Sequence, residues 1–297
     1  MNIRLVTLGI ALLVGAPVWS SADDAFFDSA GVRLRYVVQG QGEPVVLLHG
    51  ISRTAEHDWI QTGVLPALAR QFQVLALDQR GHGRSDKPIG TDAYGVRMVE
   101  DVARLLDHRG LARAHVVGYS MGGRIALKFL ATHPQRVQSV VLVGSGGVLE
   151  EEDAAVFQAL AAELDAGRGF ASFIPHVWPV GQVPSAEQVA AINAETLSRN
   201  DPRALAAVAR GFAAWRVAPA QLATNRLPVL AVVGDLDSAR AGVERLQAGL
   251  PSLQVEVIAG ADHLSLLSDP RFLDVLRAFW AGRHGRTGGN ARLHPAP

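Results

Sequence analysis

Residues 115–127 read HVVGYSMGGRIAL. The first half closes an apolar, β-branched run and the second half is helix-forming. Ser120 therefore stands on a strand-to-helix turn between Gly118 and Gly122, which is the G-x-S-x-G pattern. A sharp turn of this kind strains the serine backbone, and the flanking glycines let neighbouring backbone pass without a clash. The hydroxyl is left exposed at a helix N-terminus, where developing negative charge is favoured. A serine acting only as a helix cap would account for Ser120, but not for two glycines with a strand before them and a helix after. The stretch predicts a nucleophilic serine above the C-terminal edge of a sheet.

Outward from this turn, strands and helices alternate. Residues 31–38 alternate like a half-exposed strand. Residues 44–48, 72–77, 114–118 and 137–143 are the apolar runs expected of buried parallel strands, and two further strands are predicted at 228–233 and 253–258. Helical segments lie between or beyond them at 64–71, 96–108, 121–133, 240–249 and 269–282. This order predicts an α/β fold, a mostly parallel sheet covered on both faces. Residues 148–225 break the alternation. Helical patches at 150–166, 185–200 and 202–215, joined by a Pro-, Gly- and aromatic-rich connector, predict a helical cap inserted into a core made of 23–147 and 226–282. Residues 283–297 have no acid and are expected to form a flexible tail.

Composition removes several function classes. The chain has 297 residues, 48% of them hydrophobic, with 28 basic and 28 acidic side chains. A net charge of zero does not fit a nucleic-acid-binding surface. At the N-terminus, Arg4 precedes the mostly apolar stretch 5–19, and Ser20-Ser21-Ala22 places small residues before Asp23. That layout predicts a secretory signal peptide cleaved after Ala22, with the mature protein periplasmic or secreted and without stable membrane insertion. Gly9, Gly15 and Pro17 make the stretch too short and broken for a comfortable span. There is no cysteine, so an exported fold must be stable without disulfides.

A serine hydroxyl needs a base, and the base needs an orienting partner. With a nucleophile on such a turn, these are expected in the order Ser, acid, His at the ends of later strands. His263 is the histidine that fits, because it follows the strand at 253–258 and precedes the last helix. Two carboxylates follow the strand at 228–233. Asp237, three residues beyond Gly234, is favoured to reach the histidine, and Asp235 remains the alternative. Asp262 reads as a turn residue. Acyl transfer also requires donors for an oxyanion. One is expected from the Met121 N–H, next to the serine, and the other from the Ile51 N–H, after the tight turn His49-Gly50.

With these pieces in place the chain resembles the α/β-hydrolase superfamily, in its cap-containing serine esterase branch. The resemblance rests on Leu48-His49-Gly50, the segment Asp78–Pro88, Gly118–Gly123, Gly234–Asp237 and Asp262-His263, and it covers Phe26 to Gly282. It implies an eight-stranded, mostly parallel sheet with the cap after strand 6, and a structural role for Asp78 and His82. Ser120, where related dehalogenases and epoxide hydrolases carry aspartate, disfavours those activities. Leu264 and Met121 stand where carbon–carbon hydrolases and proline-releasing peptidases usually carry tryptophan. What remains is hydrolysis of carboxylic esters, with lactones and thioesters open to the same machinery, through Ser120, Asp237 and His263. No metal or organic cofactor is expected, and the partner is a small-molecule ester; the oligomeric state is left open. Pocket candidates are Tyr119, Phe170, Phe173, Trp178 and Trp215. A cofactor-free perhydrolase or haloperoxidase on the same triad, or a non-catalytic binding protein with this fold, would share these residues.

Overall fold

Along the chain the strands are β1 (Asp23–Asp28), β2 (Arg33–Gln39), β3 (Glu43–Leu48), β4 (Phe72–Leu77), β5 (Ala114–Tyr119), β6 (Val137–Val143), β7 (Val229–Gly234) and β8 (Leu253–Ile258). The computed structural model describes residues 23–147, 151–250 and 252–287. The expected signal peptide (1–22) and residues 288–297 of the expected tail lie outside the described residues. One sheet contains all eight strands in the order β1-β2-β4-β3-β5-β6-β7-β8. From β4 to β8 every pairing is parallel, whereas β1 with β2 and β2 with β4 are antiparallel. This is an α/β-type fold with an eight-stranded, mostly parallel sheet.

The period of two along each strand divides the apolar residues between two cores. In β3, Val46 and Leu48 enter one core while Val45 and Leu47 enter the other; β4, β5 and β6 split in the same way. Burial on both faces explains why these strands read as continuous apolar runs. Each such side chain contributes about 1.5–3 kcal/mol on leaving water. The helices α2 (Val96–His108), α3 (Met121–Thr132) and α8 (Arg240–Gly249) cover the first face, and α1 (Val64–Leu68) and α9 (Pro270–Thr287) cover the second. Between β3 and β5 the chain changes direction across the sheet, first outward to β4 and then back the other way through β6. Such a switch point opens a crevice at the carboxyl ends of the strands.

The cap follows β6 and comprises α4 (Glu151–Asp165), α5 (Ala186–Arg199), α6 (Pro202–Gly211) and the short α7 (Pro219–Leu222). Local chemistry starts these helices. Ser185 and Gln188 form a capping box on α5, and Asp201 accepts from the Arg203 and Ala204 amides ahead of Pro202 in α6. Phe157 of α4 stacks on Phe212, with ring centroids 3.8 Å apart.

Three details depart from the sequence expectation. Strand β1, in the acidic stretch DDAFFD, is not expected. It forms because Phe27 is buried and Asp24 pairs with Arg35 and Arg84 across the edge. The helix expected over 202–215 closes instead as a 3-10 turn from Phe212 to Trp215. Helix α9 continues to Thr287, so residues 283–287, expected in the tail, are helical. Gly282 weakens a helix by about 1 kcal/mol relative to alanine without stopping it, and no proline follows until Pro295.

Candidate active site

Ser120 joins β5 to α3 with φ 52° and ψ −111°. Few non-glycine residues adopt such a backbone, and it costs of order 1–3 kcal/mol. The surroundings hold it: the Ser120 amide donates to Val143 O at 2.8 Å. The glycines are required by contact. A Cβ on Gly118 would lie 2.1 Å from Gly122 O, one on Gly122 would lie 2.1 Å from Leu48 O, and one on Gly123 would lie 2.5 Å from Ser145 Cβ.

At this turn the structure brings together three side chains from three loops. His263 Nε2 is 3.0 Å from Ser120 Oγ, and His263 Nδ1 is 3.1 and 3.2 Å from the two oxygens of Asp237. Asp237 is 1% exposed, and its Oδ1 also accepts from the Ala239 amide at 2.9 Å. Asp235, the alternative acid, instead accepts from the Gly260 amide at 2.7 Å and serves its own loop. Asp262 caps the next turn through the Leu264 and Ser265 amides. Gly144, with φ 55°, lets the backbone pass the pair; a Cβ there would lie 3.0 Å from Asp237 Oδ2 and 3.1 Å from His263 Nδ1. Tyr119 supports the histidine from below, its hydroxyl donating to His263 O at 2.7 Å. Burial raises the Tyr119 pKa well above the usual phenol range, which keeps that donor protonated.

The loop after β3 is held more firmly than its sequence suggests. Gln79 N–H donates to His49 Nε2 at 3.0 Å, so Nδ1 carries the proton and donates to Gly50 O at 2.7 Å. Burial lowers the His49 pKa and favours this neutral form. Asp58, buried in a single π-helical turn (Glu56–Ile60), accepts from the Gly50 amide at 2.9 Å. The Gly50 carbonyl also accepts from Arg53 N–H at 3.3 Å. Because the peptide is planar and trans, the Ile51 N–H points away from the Gly50 carbonyl and the groups that donate to it. Ile51 and Met121 both line the cavity beside Ser120. Asn200, at the end of α5, donates to Ser52 O at 3.1 Å and ties the cap to the same loop.

Two lobes meet at Ser120 and His263, one of about 200 Å³ and the other of about 150 Å³. Phe173 borders both, and Tyr119, Phe170 and Trp178 border the second. Trp215 does not line either lobe, which corrects the sequence expectation. It is fully buried and its indole N–H donates to Gly95 O at 2.8 Å, fastening the cap to the start of α2. Sequence reading missed Arg124, Arg245, Phe157 and His176 in the first lobe, and Arg53 and His57 in the second. Only Arg124 carried a local signal, one helical turn after Ser120. Among the described residues, no cluster of three or more His, Cys, Asp or Glu could hold a metal ion, and no helix is long and apolar enough to cross a membrane.

A hydroxyl within reach of a base whose other nitrogen faces a buried carboxylate is suited to nucleophilic catalysis. A family model described as alpha/beta hydrolase fold matches residues 43–270. A hydrolase from Pseudomonas aeruginosa superposes with a TM-score of 0.71 at 29% identity, covering 88% of this chain and 99% of that one. The N-acyl homoserine lactone degrading enzyme Est816 superposes with a TM-score of 0.69 at 28% identity, covering 86% and 100%. An uncharacterised protein of Mycobacterium tuberculosis is 28% identical over 277 residues, 84% of this chain and 78% of its own length.

Proposed function

This chain belongs to the alpha/beta hydrolase family, and from that premise we propose that it is a serine hydrolase of carboxylic esters, lactones included. One observation carries the reading: the unbroken line from Ser120 Oγ through the His263 ring to the buried carboxylate of Asp237. Ser120 Oγ attacks the acyl carbon while His263 Nε2 takes its proton. Asp237 keeps the other proton on Nδ1 and stabilises the imidazolium that forms. The Ile51 and Met121 amides donate to the oxyanion; removing one such donor typically costs about 3 kcal/mol. His263 returns its proton to the leaving alcohol oxygen, then activates a water that releases the acid from the acyl-enzyme. A lactone follows the same steps with a tethered leaving group, and the similarity to Est816 supports including that class.

Export belongs to the same proposal. Cleavage after Ala22 would leave β1 complete from Asp23 onward, and mass determination of the mature N-terminus tests it. The activity is tested by hydrolysis of short- and medium-chain p-nitrophenyl esters by wild type and Ser120→Ala. Turnover lost in the variant supports a serine esterase. Equal inertness of the two proteins would overturn the reading.

A further inference from the structure

Gly50 is held on three sides. Its amide donates to Asp58 Oδ2 at 2.9 Å, and its carbonyl accepts from His49 Nδ1 at 2.7 Å and from Arg53 N–H at 3.3 Å. Its Cα lies against the serine turn, where a Cβ would be 3.1 Å from the Tyr119 ring and 3.5 Å from Ser120 Cβ. Both peptides flanking Gly50 are therefore fixed, and the second of them carries the Ile51 N–H. Asp58 is itself pinned. It is 3% exposed, its amide donates to Thr54 O at 3.0 Å, and its carbonyl accepts from Thr62 Oγ1 at 2.6 Å. Asp58 Oδ1 is 3.1 Å from His57 Nδ1. A carboxylate only accepts, so that nitrogen carries a proton and donates. Arg53 Nη1 lies 2.7 Å from His57 Nε2 and 3.3 Å from Nδ1, and both residues line the second lobe.

A neutral acceptor would satisfy one backbone amide, and a buried carboxylate is a costly substitute unless it is compensated. What it adds is a bond about twice as strong, which defines the place of the Gly50 amide more narrowly. The compensation comes from His57, with the cationic Arg53 behind it. We propose that Asp58 is a positioning residue of the oxyanion hole: through the Gly50 amide it sets where the Ile51 N–H points, and His57 and Arg53 hold its outer oxygen from the second lobe. This role rests on the reading of Ser120 as the nucleophile and of Ile51 as an oxyanion donor. Asp58 touches neither substrate nor Ser120 in this scheme, so it acts on the step at which charge develops and not on ground-state binding.

The test uses the full chain with a p-nitrophenyl ester, benzyl trifluoromethyl ketone and benzyl methyl ketone. Ser120 Oγ adds to the trifluoromethyl ketone carbon while its proton passes to His263 Nε2, which leaves a tetrahedral oxyanion in the hole. The methyl ketone binds without this addition. In Asp58→Asn a single oxygen must serve both neighbours. If it faces Gly50, the new NH₂ meets His57 Nδ1 and drives that proton to Nε2, toward Arg53; if it faces His57, the NH₂ meets the Gly50 N–H. Both kcat/KM and affinity for the trifluoromethyl ketone should fall by about tenfold or more, with methyl ketone affinity unchanged. Adding His57→Asn supplies an oxygen at the Nδ1 position to accept from that NH₂, and should recover most of the loss. A variant that was merely part-unfolded would lose active molecules without changing the Ki of either ketone. A trifluoromethyl ketone Ki unchanged in Asp58→Asn overturns the proposal and leaves the serine-hydrolase reading standing. Should that variant not fold, His57→Phe keeps a ring but withdraws the donor from Oδ1. It should raise the same Ki selectively, by about threefold or more; an unchanged Ki overturns the proposal. A wild type that neither cleaves esters nor binds the trifluoromethyl ketone more tightly than the methyl ketone overturns the serine-hydrolase reading, and this role of Asp58 with it.

Discussion

Replacing Asp237 by asparagine changes one atom in a fixed environment, so its effect follows from the geometry. The Ala239 amide donates to Oδ1 at 2.9 Å, which selects the asparagine oxygen for that position. The new NH₂ group then occupies the Oδ2 position, 3.2 Å from His263 Nδ1, where it donates. A proton held on Nε2 instead faces Ser120 Oγ at 3.0 Å, and the base cannot accept. The imidazolium formed during attack also loses its counter-charge. Coulomb's law at 3.1 Å, with an effective dielectric constant of about 20, gives roughly 5 kcal/mol, or roughly four orders of magnitude in rate. The assay is kcat on a p-nitrophenyl ester, with thermal melting to confirm that the variant is folded. Asp235→Asn keeps an acceptor for the Gly260 amide and should stay within about threefold of wild type, since nothing links it to His263. An Asp237→Asn enzyme within about tenfold of wild type, or a comparable loss in Asp235→Asn, would refute the assignment and the tautomer argument with it.

Two further outcomes test how the site is held. Gly122→Ala places a Cβ 2.1 Å from Leu48 O, backbone that the central strand β3 fixes. It should destabilise the fold by about 3 kcal/mol, lowering Tm by roughly 10 °C; a Tm unchanged within error would show that the close contact is not real. Acid should weaken the fold through His82, whose pKa burial pushes down to about 3. The unfolded chain binds this proton near pH 6.5 and the folded chain does not, so stability is complete above about 6.5 and falls as pH drops toward 3. The loss is about 1.4 kcal/mol per pH unit, or about 2 kcal/mol at pH 5. Urea unfolding at pH 7 and pH 5 measures it, and His82→Leu should shrink the difference between the two.

How much could be read in the sequence depended on how local each cause was. The strands of the parallel sheet were legible because burial on both faces leaves a continuous apolar run in each strand itself. The Ser120 turn was legible because the serine and the glycines it requires fall within six consecutive residues, even though Gly122 and Gly123 are required by contacts with the distant Leu48 and Ser145. Strand β1 was not, because three aspartates disfavour a strand and the edge is held by Arg35 and Arg84, 11 and 60 residues from Asp24. Trp215 was misread for the same reason. Cap aromatics look alike in sequence, and only the distant Gly95 carbonyl shows that this one is a fastener rather than a wall. The arginines of the first lobe come from α3 and α8, more than 100 residues apart, and nothing local announces their convergence.

The same contrast explains how the strained serine is maintained. A backbone at φ 52° persists only where the surroundings determine it more strongly than the residue's own preference. Here the amide is bonded to β6, Gly118 is pressed against Gly122, and Gly122 is pressed against β3. Three central strands therefore fix one dihedral pair, with burial of their side chains far exceeding the 1–3 kcal/mol of strain. The histidine and its carboxylate stand on loops after β8 and β7 and reach Ser120 past Gly144, where a Cβ would lie 3.0 Å from Asp237 Oδ2 and 3.1 Å from His263 Nδ1. The reacting geometry is thus set by the rigid centre of the sheet, while the lobes that would select a substrate are formed partly by the cap. Substitutions in cap residues such as Trp178 or His176 should therefore alter which ester is accepted before they alter the chemistry at Ser120, and a cap variant that lowered turnover of every ester equally would contradict this division.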